Sequence, residues 1–150
     1  MAYEISTTIA IAATPENVWA VLTDLASYSQ WHPMYQAATG HLAAGSTLTI
    51  TSTHPASGRA VTAKVKVLTA EPDTELRWTS KMLGLPISER IFRLNPTGDG
   101  TSLEQAGTYR GIGRSHSRVT AKTIDRIQDS FEAINQAIKQ QAEARQRASG

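Results

Sequence analysis

The chain has 150 residues, with 15 Lys plus Arg against 13 Asp plus Glu and no Cys. That length suits one domain with a real core; the missing Cys excludes disulfides and a thiolate nucleophile, and a formal net charge of +2 gives no argument for a nucleic-acid partner. The N-terminus has no basic segment leading into a long apolar run, and no stretch reaches the roughly 20 apolar residues that cross a bilayer, so the expectation is a soluble, cytoplasmic protein without stable membrane insertion.

Residues 3 to 12 alternate, with Tyr3, Ile5, Thr7, Ile9 and Ile11 on one side and Glu4, Ser6, Thr8 and Ala10 on the other. This period of two predicts a half-buried first strand. Thr14 offers a capping oxygen and Pro15 suits the first helical position, where a missing N–H costs nothing, so a short helix starts there. Val18, Trp19, Leu22 and Leu25 recur at helical spacing, and Asp24 is placed to cap a second short helix that ends near Pro33.

From Leu42 to Gly113 the period of two returns, broken by turn signals at Gly45, Pro55 to Gly58, Pro72-Asp73, Gly84 to Pro86 and Pro96 to Gly100. This predicts an antiparallel meander of about six strands. The alternating sets are Leu48 and Ile50; Val61, Ala63, Val65 and Val67; Leu76 and Trp78; Phe92 and Leu94; and Leu103, Gln105 and Tyr109. From about Ser115 to Gln146, Thr120, Ile124, Ile127, Phe131, Ile134 and Ile138 are spaced alternately four and three apart, the stripe of one long amphipathic helix. These elements bury their apolar faces if the sheet curves and the last helix crosses its concave side. A single domain over residues 1–150 is expected, with residues 146–150 frayed.

This order of elements, together with Thr14-Pro15-Glu16-Asn17-Val18-Trp19, Asp24, Tyr28, Trp31 and Pro33, resembles the START/Bet v 1-like (SRPBCC) superfamily of polyketide cyclase/dehydrase-like proteins. Gly40 and Gly45 around the second strand, Glu75-Leu76-Arg77-Trp78, Glu89-Arg90-Ile91-Phe92-Arg93-Leu94, Gly100-Thr101 and Ile134-Asn135-Gln136-Ala137-Ile138-Lys139 extend the likeness over nearly the whole chain. The resemblance implies an α+β helix-grip (Bet v 1-like) fold: a curved antiparallel sheet of about seven strands, two short helices after the first strand, and a long C-terminal helix over the concave face. It also implies a hydrophobic cavity between sheet and helix that takes apolar small molecules. Small inward residues such as Ala63, Ser80 and Gly107 leave room for one; in the competing reading Trp78, Phe92, Tyr109 and Phe131 fill the space as ordinary core.

The candidate ligand-binding residues are Trp31, Met34, Ile50, Val65, Trp78, Met82, Leu83, Arg90, Phe92, Gln105, Tyr109, Ile127, Phe131 and Ile134. Among them the polar Arg90, Gln105 and Tyr109 stand out, because a small-molecule site is mostly apolar with a few placed polar groups. Arg90 shares the phase of Phe92, and a buried guanidinium requires a carboxylate, a ligand oxygen or water; a register slip near Ser88 turns it to solvent instead. The apolar turn Met82-Leu83-Gly84-Leu85-Pro86-Ile87 forms either the cavity mouth or a flap packed on Trp31-His32-Pro33-Met34-Tyr35.

Arg90, Tyr109 and His32 are the candidates for catalysis, His32 as a general base or, more plainly, as a capping or surface residue. Many relatives carry His at the position of Arg90 and Glu near that of Gly107, so this chain lacks that acid/base pair. His32, His41, His54 and His116 are scattered without metal-ligand spacing, and no Gly-x-Ser-x-Gly turn or phosphate-binding glycine loop occurs, so neither metal nor cofactor is expected. Three functions follow: a carrier or sensor of a lipid, quinone or aromatic, polyketide-like metabolite; a cyclase or dehydratase using the same cavity; or a protein-interaction module presenting the exposed sheet face or the terminal helix, whose Lys122, Asp125, Arg126, Asp129, Glu132 and Lys139 otherwise read as an ordinary solvated face.

Overall fold

The structure, a computed structural model, describes residues 2–53, 58–80, 87–110 and 121–149. Strand β1 (Ala2–Ile11) buries Ile5 and Ile11 and exposes Glu4, Ser6, Thr8 and Ala10, as an alternating strand with one solvated face must. Thr14 caps α1 (Pro15–Thr23), its Oγ1 accepting from the Asn17 N–H at 3.3 Å, and Val18, Val21 and Leu22 form the buried stripe. The next helical piece is a 3-10 turn over Leu25–Ser27 that runs into the single-turn α2 (Tyr28–Trp31). Asp24 makes no side-chain cap, because its ψ of 75° is not the extended conformation that aims a capping oxygen at the turn; its carbonyl instead accepts from the Ser27 hydroxyl and N–H.

Six further strands follow: β2 (Tyr35–Thr39), β3 (Thr47–Thr53), β4 (Ala60–Glu71), β5 (Glu75–Ser80), β6 (Ile87–Thr97) and β7 (Gly100–Arg110). The meander therefore begins at Tyr35 rather than at Leu42. Strand β2 escapes a reading by periodicity because it is an edge strand in which Ala38 alone is buried. All seven strands form one antiparallel sheet in the order β1-β7-β6-β5-β4-β3-β2. A register shift in β4 between Val67 and Thr69 sets Leu68 outward, and such bulges add the local twist that curves a sheet.

Helix α3 (Ala121–Ser149) packs against β1, α1 and β7, which closes the α+β helix-grip architecture. It runs on past Gln146 to Ser149, because Gln146 is hydrogen-bonded to α1 and its cap; the expected helical residues 115–120 lie outside the described part of the chain. The two halves of α3 have different neighbours. Ile134, Ile138 and Ala142 join Ile11, Val18, Leu22, Leu94 and Leu103 in the solid core, each large side chain contributing about 1.5–3 kcal/mol of burial. Ile127, Ser130 and Phe131, nearer the N-terminus, face a space that the sheet does not fill.

Candidate functional site

A cleft of about 250 Å³ lies between the N-terminal half of α3 and the sheet. Alternation within each strand places Ile50 and Ser52, Ala63 and Val65, Trp78 and Ser80, and Ser88 and Arg90 on its wall, with Met34, Tyr35, Thr53 and Glu89 completing that side. Helix α3 supplies Ile127, Ser130, Phe131 and Ile134. The result is an apolar chamber wall carrying a band of hydroxyls and one guanidinium. Glu89 turns its carboxylate to Arg77, 3.2 Å away, in a charged network on the opposite sheet face where Arg93 joins Glu75 and Glu104.

Arg90 faces the concave side. Across the sheet it stands opposite Trp78 on β5 and Gly107 on β7, the latter presenting no side chain to obstruct it. Its Nη1 donates to Gln105 Oε1 at 3.1 Å and to the Tyr35 hydroxyl at 3.5 Å, and its guanidinium carbon lies 4.3 Å from the centre of the Phe131 ring. Gln105 is fully buried behind it and donates from Nε2 to Asn135 Oδ1 at 2.6 Å and to the Phe131 carbonyl at 3.2 Å.

Of the sequence-derived candidates, Met34, Ile50, Val65, Trp78, Arg90, Ile127, Phe131 and Ile134 line the cleft. Phe92 is core beneath it, its ring 5.6 Å from that of Trp78, and Gln105 is a buried supporter rather than a wall residue. Trp31 is a correction: α2 turns it away from the cleft, against the Tyr28 ring at 5.2 Å, with Nε1 donating to Ser27 Oγ, and it borders a groove between α1 and the end of α3. Tyr109 lies on β7 with its backbone paired to Tyr3 and Ser88, its side chain outside the described part; Met82 and Leu83, with the rest of the apolar turn, also lie outside the described residues.

His32 has a structural task. Its Nδ1 accepts from the N–H groups of Met34 and Tyr35 at 3.1 and 2.9 Å, and its ring stacks on Tyr35 with centroids 4.1 Å apart. Burial, aided by the nearby Arg90 charge, lowers its pKa from 6.5 to about 3. A neutral imidazole whose acceptor nitrogen is already engaged holds the turn into β2; it is a poor base, contrary to the candidate role, and it does not line the cleft. Beneath it Tyr28 donates to the Leu22 carbonyl, and burial, with Tyr35 and Asp24 nearby, pushes its phenol well above the usual range.

Sequence reasoning missed Tyr35 and Asn135. Tyr35 gave no signal, standing at the start of an unrecognised strand. Asn135 did: it sits four residues after Phe131 and three before Ile138, on the apolar stripe of α3, where an amide has to find buried partners. Among the described residues no group of three or more His, Cys, Asp or Glu is placed to hold a metal ion, and no helix is long and apolar enough to cross a membrane.

A curved seven-stranded sheet gripped by one long helix, with a cleft beneath that helix, defines the Bet v 1-like helix-grip class. Residues 2–143 match the model of the family described as "Polyketide cyclase / dehydrase and lipid transport", and the chain belongs to that family. Its fold is similar to that of SA2116 from Staphylococcus aureus, a protein of unknown function, with 13% identity over 98% of this chain and 97% of that one and a TM-score of 0.72. It is also similar to StfQ, a di-domain ARO/CYC from the steffimycin biosynthetic pathway, with 13% identity, 97% of this chain, 52% of that chain and a TM-score of 0.78. Ara h 8.0201 gives 12% identity, 96% and 99% coverage and a TM-score of 0.76. No curated protein matches the sequence.

Proposed function

We propose that this protein binds a compact apolar small molecule, such as a lipid, a quinone or an aromatic, polyketide-like metabolite, in the cleft under α3 and serves as its carrier or sensor. The observation that carries this reading is the cleft itself: Trp78, Phe131, Ile50 and Val65 supply apolar wall, and Arg90 is the placed polar group that orients a ligand. At about 250 Å³ the space falls just below the roughly 300–1,000 Å³ of pockets for drug-sized ligands, which favours a small one. The test is mass spectrometry of small molecules extracted from the native protein, paired with thermal denaturation against fatty acids, quinones and aromatic acids. A ligand present at about 100 times its Kd stabilises the native state by about 2.7 kcal/mol, a readable shift. An empty extract together with no shift across the panel removes the proposal.

Cyclase or dehydratase chemistry is the second reading, supported by the family description and by the convergence of the Tyr35 hydroxyl and Arg90 on one side of the cleft, two donors able to polarise a carbonyl. Turnover of an identified substrate that survives substitution of both residues excludes them from any such mechanism.

A further inference from the structure

Helix α3 is held unevenly along its length. From Phe131 onward it buries Phe131, Ile134, Ile138 and Ala142, whereas over residues 125–130 no side chain is buried and only Ile127 and Ser130 are half-buried, against the cleft. A helical segment without a packed face is marginal, because most helical stability in proteins comes from tertiary burial. The change falls at one turn. Gln105 Nε2 donates to the Phe131 carbonyl at 3.2 Å and to Asn135 Oδ1 at 2.6 Å, and Asn135 Nδ2 donates to Thr7 Oγ1 at 2.8 Å. Strands β7 and β1 thus pin the turn over residues 131–135 through side chains that are 0% exposed at Gln105 and 2% at Asn135, where water does not compete. Directly ahead of the pin the Ser130 hydroxyl donates to the Arg126 carbonyl at 2.9 Å, a back-bond that slightly loosens and bends a helix.

The loosely held turns stand where the cleft meets the surface. Met34, Thr53 and Ser130 line the cleft and also a surface groove of about 500 Å³ beside it, whose α3 side is completed by Arg126 and Asp129. We propose that residues 125–130 of α3 form a flap over the cleft, hinged at the pinned turn over residues 131–135, and that an apolar ligand enters beside Met34 and Thr53 when the flap swings away from the sheet. This rests on the small-molecule reading above. The pin sets the extent of the motion: lifting residues 125–130 exposes no fully buried side chain, whereas unwinding past Phe131 exposes its ring, Ile134 and both amides.

The test has two arms, both on the full chain. In hydrogen–deuterium exchange the amides of residues 126–130 are expected to exchange at least about tenfold faster than those of residues 138–142, since burial of one large side chain is worth about a factor of ten. Asn135→Ala is expected to spread the fast exchange into residues 131–135. Should circular dichroism show that variant unfolded, Thr7→Val removes one acceptor of the pin at nearly constant volume and is expected to speed exchange there about threefold. For the entry route, the chain has no Cys, so Asp129→Cys carries a single thiol for a bulky maleimide. That adduct is expected to slow stopped-flow association of 2-naphthol about tenfold, while the same adduct on Gln140→Cys, at an exposed position beyond the pin, leaves the rate unchanged. Uniform exchange along α3 overturns the flap, and an unchanged ratio in the folded variants overturns the pin as its hinge. Equal association rates for the two adducts overturn the entry route. Failure of 2-naphthol to bind the unmodified protein overturns the small-molecule reading and the entry route with it, while the exchange pattern by itself decides the flap.

Discussion

Asn17 Nδ2 lies 2.6 Å from Gln146 Oε1, joining the first turn of α1 to the last turns of α3 across 129 positions of sequence. The same oxygen accepts from the Thr14 N–H at 3.0 Å, and Arg145 Nε returns a bond to Asn17 Oδ1 at 3.2 Å. One side chain of α3 thus satisfies a main-chain donor at the N-terminus of α1 that helix geometry leaves unpaired. Gln146→Ala is expected to cost about 1–2 kcal/mol, seen as a lower urea midpoint at unchanged slope. The exposed Gln140→Ala is the control, with a change within about 0.5 kcal/mol; equal midpoints for the two variants contradict the anchoring role.

Gly100 opens β7 against the end of β1. A Cβ there falls 2.1 Å from the Ile11 carbonyl oxygen and 3.0 Å from the Ala13 nitrogen, at a φ of +158°. Both obstacles are backbone and cannot rotate aside. Gly100→Ala is expected to lose about 3 kcal/mol or more in chemical denaturation. At Gly98, two residues earlier, nothing lies within 4 Å, so Gly98→Ala should stay within about 0.5 kcal/mol of wild type.

His32 makes stability depend on pH with a definite sign. Its pKa falls from 6.5 in the unfolded chain to about 3 in the fold, so between those values the unfolded state binds the extra proton. The contribution is complete above about pH 6.5 and declines as the pH drops toward 3, by at most about 1.4 kcal/mol per unit. His32→Asn keeps an acceptor near Nδ1 but does not titrate. Urea midpoints measured from pH 7 down to pH 4 should fall less steeply in this variant; parallel profiles for the two proteins would show that His32 is not the group responsible.

Ala63 is a half-buried wall residue of the cleft on β4. Ala63→Phe places a ring in space that the fold leaves open, so stability is expected to stay within about 1.5 kcal/mol of wild type while ligand-induced thermal shifts disappear. A variant that keeps the full shift locates the ligand elsewhere.

The faces of β1 and of β3 to β7 were legible because strand geometry ties every second side chain to one side, whatever the strand pairs with. The cap at Thr14-Pro15 and the apolar stripe of α3 were legible for a similar reason: each is a relation among residues within a turn or two, and so is written locally. Arg90 shared the phase of Phe92, but the sequence left a register slip near Ser88 open, and the pairing of β6 with β5 and β7 decided between the two. Tyr35 and Gln105 as its partners were not legible, since they lie 55 positions before and 15 after it in the chain, and a hydrogen bond is selected by proximity in space. Strand β2 and the task of His32 were hidden likewise, because one edge strand with a single buried residue has no period and an imidazole looks the same in sequence whether it titrates or holds a turn. Local chemistry decided which side chains turn inward; only the closing of α3 over the sheet decided that its C-terminal half packs solid while its N-terminal half spans a cleft, because filling depends on how far apart two surfaces come to rest.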